Sequence, residues 1–341
     1  MSRQTGSGVQ PAMSNGTTDP PAADCPRLSI VVPCYNEAEN LAPLHKRCSA
    51  AARGSVGNDF ELVFVDDGSR DATWQALREL AEQDRHVVAA RLSRNFGHQL
   101  ALSAGLELAR GARILIIDAD LQDPPELLPV MMAAADAGAD VVYGRRASRQ
   151  GESWFKRASA SIFYRILRRL TDVEIPADSG DFRLITRRVA ELLASMPEQH
   201  RFVRGMVSWI GLKQVAVDYH RDERTAGRTN YPFRRMLRLA VDAVTSFSIR
   251  PLRIASMIGL TFGLLGMAGI VYAIAGWAMG ETVPGWTSVM VVVLMLGGIQ
   301  LAVIGIVGEY LGRLYIETKR RPLFIIQEIA RSANDRTDGR T

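Results

Sequence analysis

The sequence contains only three cysteines, Cys25, Cys34 and Cys48, in a chain of 341 residues. Their spacing matches no metal-binding pattern, and an odd number does not make a disulfide framework. Such sparse cysteines are typical of a reducing compartment, where structural disulfides are rare. We therefore interpret all three as small packing residues and exclude a disulfide-stapled or zinc-finger fold.

Two glycine-rich phosphate-binding motifs are also absent. No Gly-x-Gly-x-x-Gly follows the first predicted strand, and no Gly-Lys-Ser/Thr sequence occurs anywhere in the chain. These loops bind the pyrophosphate of dinucleotides and the phosphates of nucleotides in P-loop proteins. Their absence argues against a dinucleotide dehydrogenase and against a P-loop NTPase.

Residues 1–26 have little apolar sequence and are rich in Ser, Gly, Thr, Pro and Ala. Such a segment cannot bury enough apolar surface to offset the entropy lost on ordering, so we expect a disordered tail. It also lacks the apolar core and basic flank of a cleaved secretion signal. The domain that follows is therefore expected in the cytoplasm.

The chain is basic, with 41 Lys and Arg against 36 Asp and Glu, a net charge of +5. A basic balance is typical of proteins that bind nucleic acid or an anionic membrane. No nucleic-acid motif is present, and the arginines cluster just before two long apolar stretches. We therefore predict membrane and phosphate partners and no nucleic acid.

Short apolar runs alternate with helical patterns from residue 27 onward. The runs begin at Leu28, Phe60, Val87, Arg113 and Asp140, and the helical segments between them cover about ten to sixteen residues. This alternation predicts an α/β fold with a doubly wound, mostly parallel sheet and right-handed crossovers. Ligands of such sheets bind at the carboxyl ends of the strands.

Polar segments follow four of these predicted strands. Each of them alone could be a turn followed by a helix cap. Four at one edge of a sheet indicate a nucleotide pocket, in which Tyr35 can stack on a base and Asp67 can accept hydrogen bonds from base or ribose. The segments are Pro33-Cys-Tyr-Asn-Glu37, Asp66-Asp-Gly-Ser69, Arg94-Asn-Phe-Gly-His98 and Asp118-Ala-Asp-Leu-Gln122.

The fourth segment places Asp118, Asp120 and Gln122 directly after a buried strand. Carboxylate and amide oxygens suit a hard cation such as Mg²⁺ or Mn²⁺, which can be held here against a diphosphate. The alternative is an acidic strand-to-helix turn, with Asp123 as cap and the following prolines opening the next helix.

Taken in order, these segments resemble the family 2 inverting glycosyltransferases, and within them the polyprenyl-phosphate glycosyltransferases such as dolichol-phosphate mannose synthases and bactoprenol glucosyltransferases. The resemblance covers residues 27–325 and rests on residues 29–41, 65–73, 94–99 and 118–125. It implies a Rossmann-like nucleotide-diphospho-sugar transferase domain. The residues that it implies for the nucleotide sugar are Pro33, Tyr35, Asn36, Glu37, Asp67, Asp118 and Arg145, and those for a metal, Mg²⁺ or Mn²⁺, are Asp118, Asp120 and Gln122.

A second polar cluster, Asp178-Ser-Gly-Asp-Phe-Arg-Leu184, supplies further catalytic candidates beside Asp120. Asp181 could position the sugar or acceptor, or serve as a base if the acceptor were a hydroxyl, and Arg183 lies two residues on. The alternative role of Asp181 is pairing with Arg183 or capping.

A basic loop near residues 219–232 contains Arg221, Arg224 and Arg228. Arginine binds phosphate oxygens in a bidentate manner, so these residues are candidate clamps for diphosphate or lipid phosphate. The loop resembles a mobile lid that often ends in Ser-Lys-Tyr in the family, whereas here the sequence is Thr229-Asn230-Tyr231, which leaves Arg228 as the substitute for the lysine.

The C-terminal part predicts a membrane anchor. Two basic amphipathic stretches, 153–170 and 232–248, suit an anionic lipid surface, and the runs 254–279 and 287–311 are each long enough to span a bilayer. The loop between the runs has no Lys or Arg, whereas both outer flanks are basic, which places the catalytic domain and both termini in the cytoplasm. We predict a glycosyltransferase domain at 27–230, an interfacial helix at 231–249, two transmembrane helices at 250–321 and a tail at 322–341. The sequence leaves open whether the chain forms homo-oligomers.

The predicted activity is metal-dependent, inverting transfer of one sugar from a nucleotide diphosphate to polyprenyl phosphate at the cytoplasmic face of the cell membrane. We favour glucose from UDP-glucose, with mannose from GDP-mannose or another sugar as the alternative. A hydroxyl-acceptor synthase would usually carry a Gln-x-x-Arg-Trp motif, which is absent. A non-enzymatic nucleotide-sugar-binding scaffold predicts loss of metal ligands, yet Asp118, Asp120 and Gln122 are present.

Overall fold

The computed structural model describes residues 25–146, 179–199, 201–219, 250–279 and 285–332. These residues form an α/β domain, two long helices and a final strand that returns to the domain. The strands are β1 (Leu28–Cys34), β2 (Phe60–Asp66), β3 (Val87–Leu92), β4 (Arg113–Ile116), β5 (Val141–Arg146), β6 (Ser179–Thr186), β7 (Gln214–Tyr219) and β8 (Ile326–Ala330). The helices are α1 (Ala38–Val56), α2 (Thr73–Gln83), α3 (His98–Leu108), α4 (Leu128–Asp136), α5 (Arg187–Ser195), α6 (Val203–Ile210), α7 (Arg250–Ala278) and α8 (Trp286–Thr318), and a short 3-10 turn, Pro125–Leu127, precedes α4.

The strands form one eight-stranded sheet in the order β7-β5-β6-β4-β1-β2-β3-β8. The central strands β4, β1, β2 and β3 are parallel to one another, and β5 is parallel to β7. β6 runs antiparallel between β4 and β5, and β8 runs antiparallel to β3. The prediction of a doubly wound, mostly parallel α/β sheet is confirmed.

The central strands are apolar on both faces because helices cover both sides of the sheet. Every residue of β1 and of β2 is buried. Such continuous burial is typical of parallel strands between two helical layers. One core includes apolar residues of α1, α2 and α4, and the other includes those of α3, α5 and α6.

Helix α3 lies unusually close to β1 because Gly105 has no side chain. A Cβ atom added at Gly105 would lie 2.3 Å from Cγ1 of Val31. The contact holds the helix directly on the central strand, and the first residue of the same helix is His98. This packing therefore fixes the position of the residues at the amino end of α3.

The final strand is the main departure from the sequence prediction. We predicted a tail at 322–341, whereas Ile326–Ala330 form β8 and pair with β3 along the edge of the sheet. Ser93 N donates a further hydrogen bond to Ile325 O at 2.9 Å, and Phe324 packs against the core. A five-residue strand has too little pattern for recognition from sequence, because its pairing depends on an edge formed more than 200 residues earlier in the chain.

Helices α7 and α8 contain segments that are long and apolar enough to cross a membrane. The segments are Leu252–Gly276, with a mean hydropathy of 2.0, and Val291–Thr318, with a mean hydropathy of 2.5. Only 6% and 0% of their most apolar windows are buried in the structure, so these helices are not the core of a soluble domain. Near the end of α8, Glu309 pairs with Arg313 at 3.0 Å, as expected for a charge that needs a partner near a membrane.

The α/β domain also contacts the end of α8 through Gln199. The backbone N of Gln199 donates to Oε1 of Glu317 at 2.9 Å, and its side-chain Nε2 donates to the carbonyl of Arg321 at 2.8 Å. Gln199 is therefore hydrogen-bonded to the C-terminal end of α8 and to the residues that follow it.

Several predicted segments lie outside the described residues. They are most of the predicted tail at 1–26, the amphipathic stretch 153–170, the interfacial helix 231–249 and the basic loop with Arg221, Arg224 and Arg228.

Candidate active site

A cleft of about 470 Å³ opens at the carboxyl ends of β1, β2 and β4, beside the first residue of α3. The position agrees with the general rule for ligand sites in open α/β sheets. The residues that line the cleft are Pro33, Cys34, Tyr35, Glu37, Asp67, Asn95, Gly97, His98, Ala101, Asp118, Ala119 and Asp120. Seven of the predicted site residues are thus brought together, namely Pro33, Tyr35, Glu37, Asp67, Asp118, Asp120 and, through its contact with His98, Asp181.

The loop after β1 is held in shape by Asn36, which adopts a left-handed backbone conformation with φ of 56°. Its backbone N donates to Oγ of Ser69 at 2.9 Å, and its Oδ1 accepts from the backbone N of Arg70 at 2.9 Å. Asn36 therefore joins the β1 and β2 loops and does not line the cleft. Its neighbour Tyr35 does line the cleft and is 40% exposed, as a ring that stacks on a base would be.

Asp67 holds the loop that follows β3. Its Oδ1 accepts from the backbone N of Phe96 at 2.7 Å, and its Oδ2 accepts from the backbone N of Gly97 at 2.9 Å. Burial raises the pKa of Asp67, and these two hydrogen bonds act in the opposite direction. The carboxylate thus shapes the cleft through the neighbouring loop, a role that the sequence did not indicate.

Gly68 allows the β2 and β3 loops to approach each other. Its φ is +65°, and an added Cβ atom would lie 2.6 Å from the carbonyl carbon of Arg94. Gly57 has a similar φ of +68° but has no atom within 4 Å of an added Cβ. An alanine at Gly57 would therefore have backbone strain alone, whereas an alanine at Gly68 would have backbone strain and steric overlap with Arg94.

We expect Gly68→Ala to lower the free energy of unfolding by about 2 kcal/mol more than Gly57→Ala does, because the backbone of Arg94 must move. Chemical denaturation of both variants measures this difference. Gly68→Ala is also expected to weaken binding of a nucleoside diphosphate, whereas Gly57→Ala leaves it unchanged. Equal losses of stability would contradict the importance of the close approach.

Asp118 and Asp120 face the cleft from the end of β4. Oδ1 of Asp118 is buried and accepts no hydrogen bond within the described part of the chain. Burial raises the pKa of Asp118 to about 6, His98 opposes the shift, and nearby carboxylates including Asp181 add to it. Oδ1 of Asp120 accepts from the backbone N of Gln122 at 3.2 Å. A buried carboxylate oxygen without a hydrogen-bond donor fits a site for a cation.

The arrangement fits a cation shared with a phosphate ligand. No group of three or more His, Cys, Asp or Glu residues is arranged to hold a metal among the residues that the structure describes. Mg²⁺ in nucleotide sites is commonly bound by one or two carboxylates, with phosphate oxygens and waters as the other ligands. Asp118 and Asp120 match that pattern. Gln122 is buried and does not line the cleft, so its predicted role as a ligand gains no support.

Asp181 is not among the residues that line the cleft, but it contacts the lining residue His98 and lies among several hydrogen-bond donors. Nε2 of Gln99 donates to its Oδ2 at 3.0 Å, and Nη2 of Arg204 donates to its Oδ1 at 3.5 Å. Nε2 of His98 lies 3.3 Å from Asp181 and 3.5 Å from Asp118, so the imidazole stands between the two carboxylates. Burial alone would raise the pKa of Asp181, but His98 and the arginines hold it well below its usual value.

Arg183 does not reach the cleft. Its side chain is buried, Nη2 donates to the carbonyl of Gly180 at 2.8 Å, and its distance to a carboxylate oxygen of Asp181 is 3.9 Å. Burial lowers the pKa of Arg183 to about 10. Arg183 is thus buried next to Asp181, as in the alternative of pairing between the two residues, and its catalytic role stays a prediction.

Arg145 is likewise placed away from the cleft. It lies near the end of β5 and forms a bidentate ion pair with Asp218 of β7, at 2.6 and 2.8 Å. It is not among the residues that line the cleft. Its predicted contact with the nucleotide sugar stays a prediction, since Nε and Nη2 are directed at Asp218 in this structure.

Three residues that contact Asp181 were given no role of their own from the sequence: His98, Gln99 and Arg204. The signal for the first two was their position directly after the Asn95-Phe-Gly97 turn at the start of a helix. Arg204 had no such signal, because its meeting with Asp181 depends on how α6 packs beside α3.

Comparison with known proteins agrees with this geometry. Residues 29–193 match glycosyl transferase family 2, and residues 250–314 match the GtrB C-terminal hairpin. The glycosyltransferase YkcC of Bacillus subtilis is 45% identical over 89% of this chain and 94% of its own length. A prophage bactoprenol glucosyl transferase homolog of Escherichia coli K12 is 40% identical over 89% of this chain and 99% of its own. The bactoprenol glucosyl transferase of Shigella phage SfV is 38% identical over 88% and 98%.

The family match covers β1 to β6 and every residue that lines the cleft, and the hairpin match covers α7 and most of α8. The apolar helices and the hairpin match together indicate that the chain associates with a membrane. The chain is a glycosyltransferase that belongs to family 2 and carries the GtrB-type C-terminal hairpin.

Proposed function

We propose that this enzyme transfers one glucose from UDP-glucose to a polyprenyl phosphate, with inversion at the anomeric carbon. The proposal is supported by relatives that are named bactoprenol glucosyl transferases and match nearly the whole chain. The observation that carries it is the environment of Asp181, whose donors disfavour its use as a base.

The donor is proposed to lie along the β1, β2 and β4 loops. Tyr35 stacks on the base, and Pro33 and Glu37 contact the nucleoside from the same loop. Asp118 and Asp120 would hold Mg²⁺ or Mn²⁺ in the presence of the diphosphate. When bound there, the cation neutralises charge on the leaving nucleoside diphosphate, which favours its departure.

The acceptor side favours a phosphate over a hydroxyl. A hydroxyl must lose its proton during attack and needs a base with a pKa near neutral. Asp181 holds its proton too weakly for that role, since its pKa lies well below the usual value. A phosphate monoester has a second pKa of about 6 and is therefore largely dianionic at neutral pH. It can attack the sugar without a base.

The proposed chemistry is a single in-line displacement. A phosphate oxygen of the acceptor forms a bond to the anomeric carbon while the bond to the nucleoside diphosphate breaks, so the configuration inverts. Asp181 is proposed to orient the sugar, and the imidazole of His98 lies between Asp181 and Asp118 at 3.3 and 3.5 Å. Catalysis then consists largely of positioning and stabilisation of charge.

The basic loop and the anchor complete the proposal. Arg221, Arg224 and Arg228 are proposed to contact donor diphosphate or lipid phosphate, with guanidinium groups that suit phosphate oxygens. Basic residues flank the outer ends of the two apolar helices, and the segment between them has no Lys or Arg. The positive-inside rule then favours a cytoplasmic catalytic domain at the inner membrane face.

The donor is tested with purified protein in detergent, undecaprenyl phosphate, Mg²⁺ or Mn²⁺ and a panel of radiolabelled nucleotide sugars. We expect label in the organic phase from UDP-glucose, and loss of that label when EDTA is added. Label from GDP-mannose alone would replace the donor in this proposal. Absence of lipid-phase label from every donor, with nucleotide still bound, would favour a scaffold that binds nucleotide sugars.

A further inference from the structure

Gln99 connects three elements that meet at the cleft. Its Nε2 donates to Oδ2 of Asp181 at 3.0 Å, and its Oε1 accepts from the backbone N of Val203 at 2.9 Å. Gln99 itself is the second residue of α3, Asp181 belongs to β6, and Val203 begins α6. A single amide therefore bridges the amino ends of two helices and the carboxylate between them.

The two bonds require an amide at this position. The first backbone N–H groups of a helix have no partner within the helix and need an acceptor from elsewhere. No side chain of the preceding residue caps α6, and Oε1 of Gln99 takes that role at Val203. A carboxylate could accept from Val203 but could not donate to Asp181, and an amine could donate but could not accept.

The bond to α6 also affects Asp181 indirectly. Arg204 follows Val203 in the first turn of α6, and its Nη2 lies 3.5 Å from Oδ1 of Asp181. The two oxygens of Asp181 are thus held by partners whose positions depend on the same glutamine, one directly and one through the start of α6.

We propose that Gln99 is a positioning residue for sugar transfer, which sets the orientation of Asp181 both by direct donation and by fixing the helix that carries Arg204. The inference rests on the proposed function only in that Asp181 is taken to meet the sugar or the acceptor. Gln99 itself contacts neither, since it is not among the residues that line the cleft.

A double-mutant cycle tests this role with Gln99→Met, which keeps the length of the side chain and removes both polar atoms, and Asp181→Asn. We expect Gln99→Met alone to lower kcat by about 10- to 100-fold, since a small misplacement of a catalytic group has costs of this size. The KM for the nucleotide sugar is expected to change less than threefold, because the donor's nucleotide binds at other loops. In the Asp181→Asn background, Gln99→Met is expected to lower kcat by less than twofold.

Gln75→Met is the matched control, because Gln75 is exposed on α2 and its Nε2 donates to Glu79 of the same helix at 3.2 Å. It is expected to leave kcat and the melting temperature unchanged. The inference would be overturned if Gln99→Met lowered kcat by the same factor in the wild-type and Asp181→Asn backgrounds, because Gln99 would then act independently of Asp181. A loss of nucleotide binding as large as the loss of kcat would also overturn it, since that result indicates a general structural role.

The cycle is measured with whichever donor and acceptor the wild-type enzyme uses. Failure of polyprenyl phosphate as the acceptor therefore contradicts the proposed function alone. The role of Gln99 is decided by comparing the effect of Gln99→Met on kcat in the wild-type background with its effect in the Asp181→Asn background.

Discussion

Asp120→Asn is expected to lower kcat of sugar transfer by about 10³-fold, because a carboxylate that holds the cation contributes several kcal/mol to stabilising the leaving diphosphate. Asparagine keeps the shape and one oxygen of the side chain but removes its charge. Asp120 faces the cleft beside Asp118, whose buried oxygen accepts no hydrogen bond within the described residues. The loss of kcat should therefore be accompanied by weaker binding of Mn²⁺ in the presence of the nucleoside diphosphate.

The matched control is Asp136→Asn, at an exposed carboxylate on α4 that pairs with Arg113 at 3.1 Å. This substitution is expected to change kcat less than twofold, since surface ion pairs contribute little. Titration of Mn²⁺ followed by its electron paramagnetic resonance signal measures metal binding without reference to activity. Full activity of Asp120→Asn, with unchanged Mn²⁺ binding, would contradict the proposed metal site.

Ending the chain after Arg321 is expected to destabilise the catalytic domain by roughly 3–5 kcal/mol, through the loss of strand pairing and of buried apolar surface. This truncation removes β8, which pairs with β3, and removes Phe324 and Ile326 from the core. For a domain of this size, such a loss lowers the melting temperature by about 10 °C. Activity should fall at least tenfold, because β3 leads directly into the loop that contacts Asp67.

Ending the chain after Ser332 is the control, since β8 and its contacts remain. We expect this chain to match the full-length protein in melting temperature and in kcat. Both truncated chains keep α7 and α8, so membrane insertion is the same in each. Equal stability of the two truncated chains would show that β8 contributes nothing to the domain.

The fold was accessible from the sequence because each central strand is buried on both faces and reads as a continuous apolar run. β1 and β2 are apolar throughout apart from a few buried polar residues such as Ser29, whose Oγ donates to Glu61 at 2.6 Å. The antiparallel placement of β6 could not be read in this way, because strand direction depends on connections and not on local pattern. β8 was missed because it is short and pairs with an edge formed much earlier in the chain.

Most residues that we expected at the strand ends do line the cleft, whereas the contacts of the residues around it were less predictable. Polar residues at strand ends meet wherever the strands are adjacent and parallel, so Tyr35, Asp67, Asp118 and Asp120 converge as expected. The ion pair of Arg145 with Asp218 was not foreseen, because a side chain at the end of a strand can turn to either neighbouring strand. Arg183 was foreseen as a partner of Asp181, whereas the contacts from Gln99 and Arg204 depend on helix packing and could not be.

The segment that follows α8 connects the two long helices to the loops around the cleft. After α8 the chain contacts Gln199, and then Ile325 accepts a hydrogen bond from Ser93 at 2.9 Å. Ser93 lies just before the loop whose backbone is bound by Asp67. The anchor is therefore joined to the catalytic domain at two places and is not merely a tether.

In the proposed reaction the acceptor is a phosphate, which attacks without a general base. The most direct measurement compares undecaprenyl phosphate with undecaprenol at equal concentration, with labelled UDP-glucose and the label followed into the lipid phase. Our account predicts rapid labelling of undecaprenyl phosphate and labelling of undecaprenol that is at least 10³-fold slower, roughly the contribution of general base catalysis. Equal labelling of the alcohol would contradict the account and would make Asp181, or another group, a base.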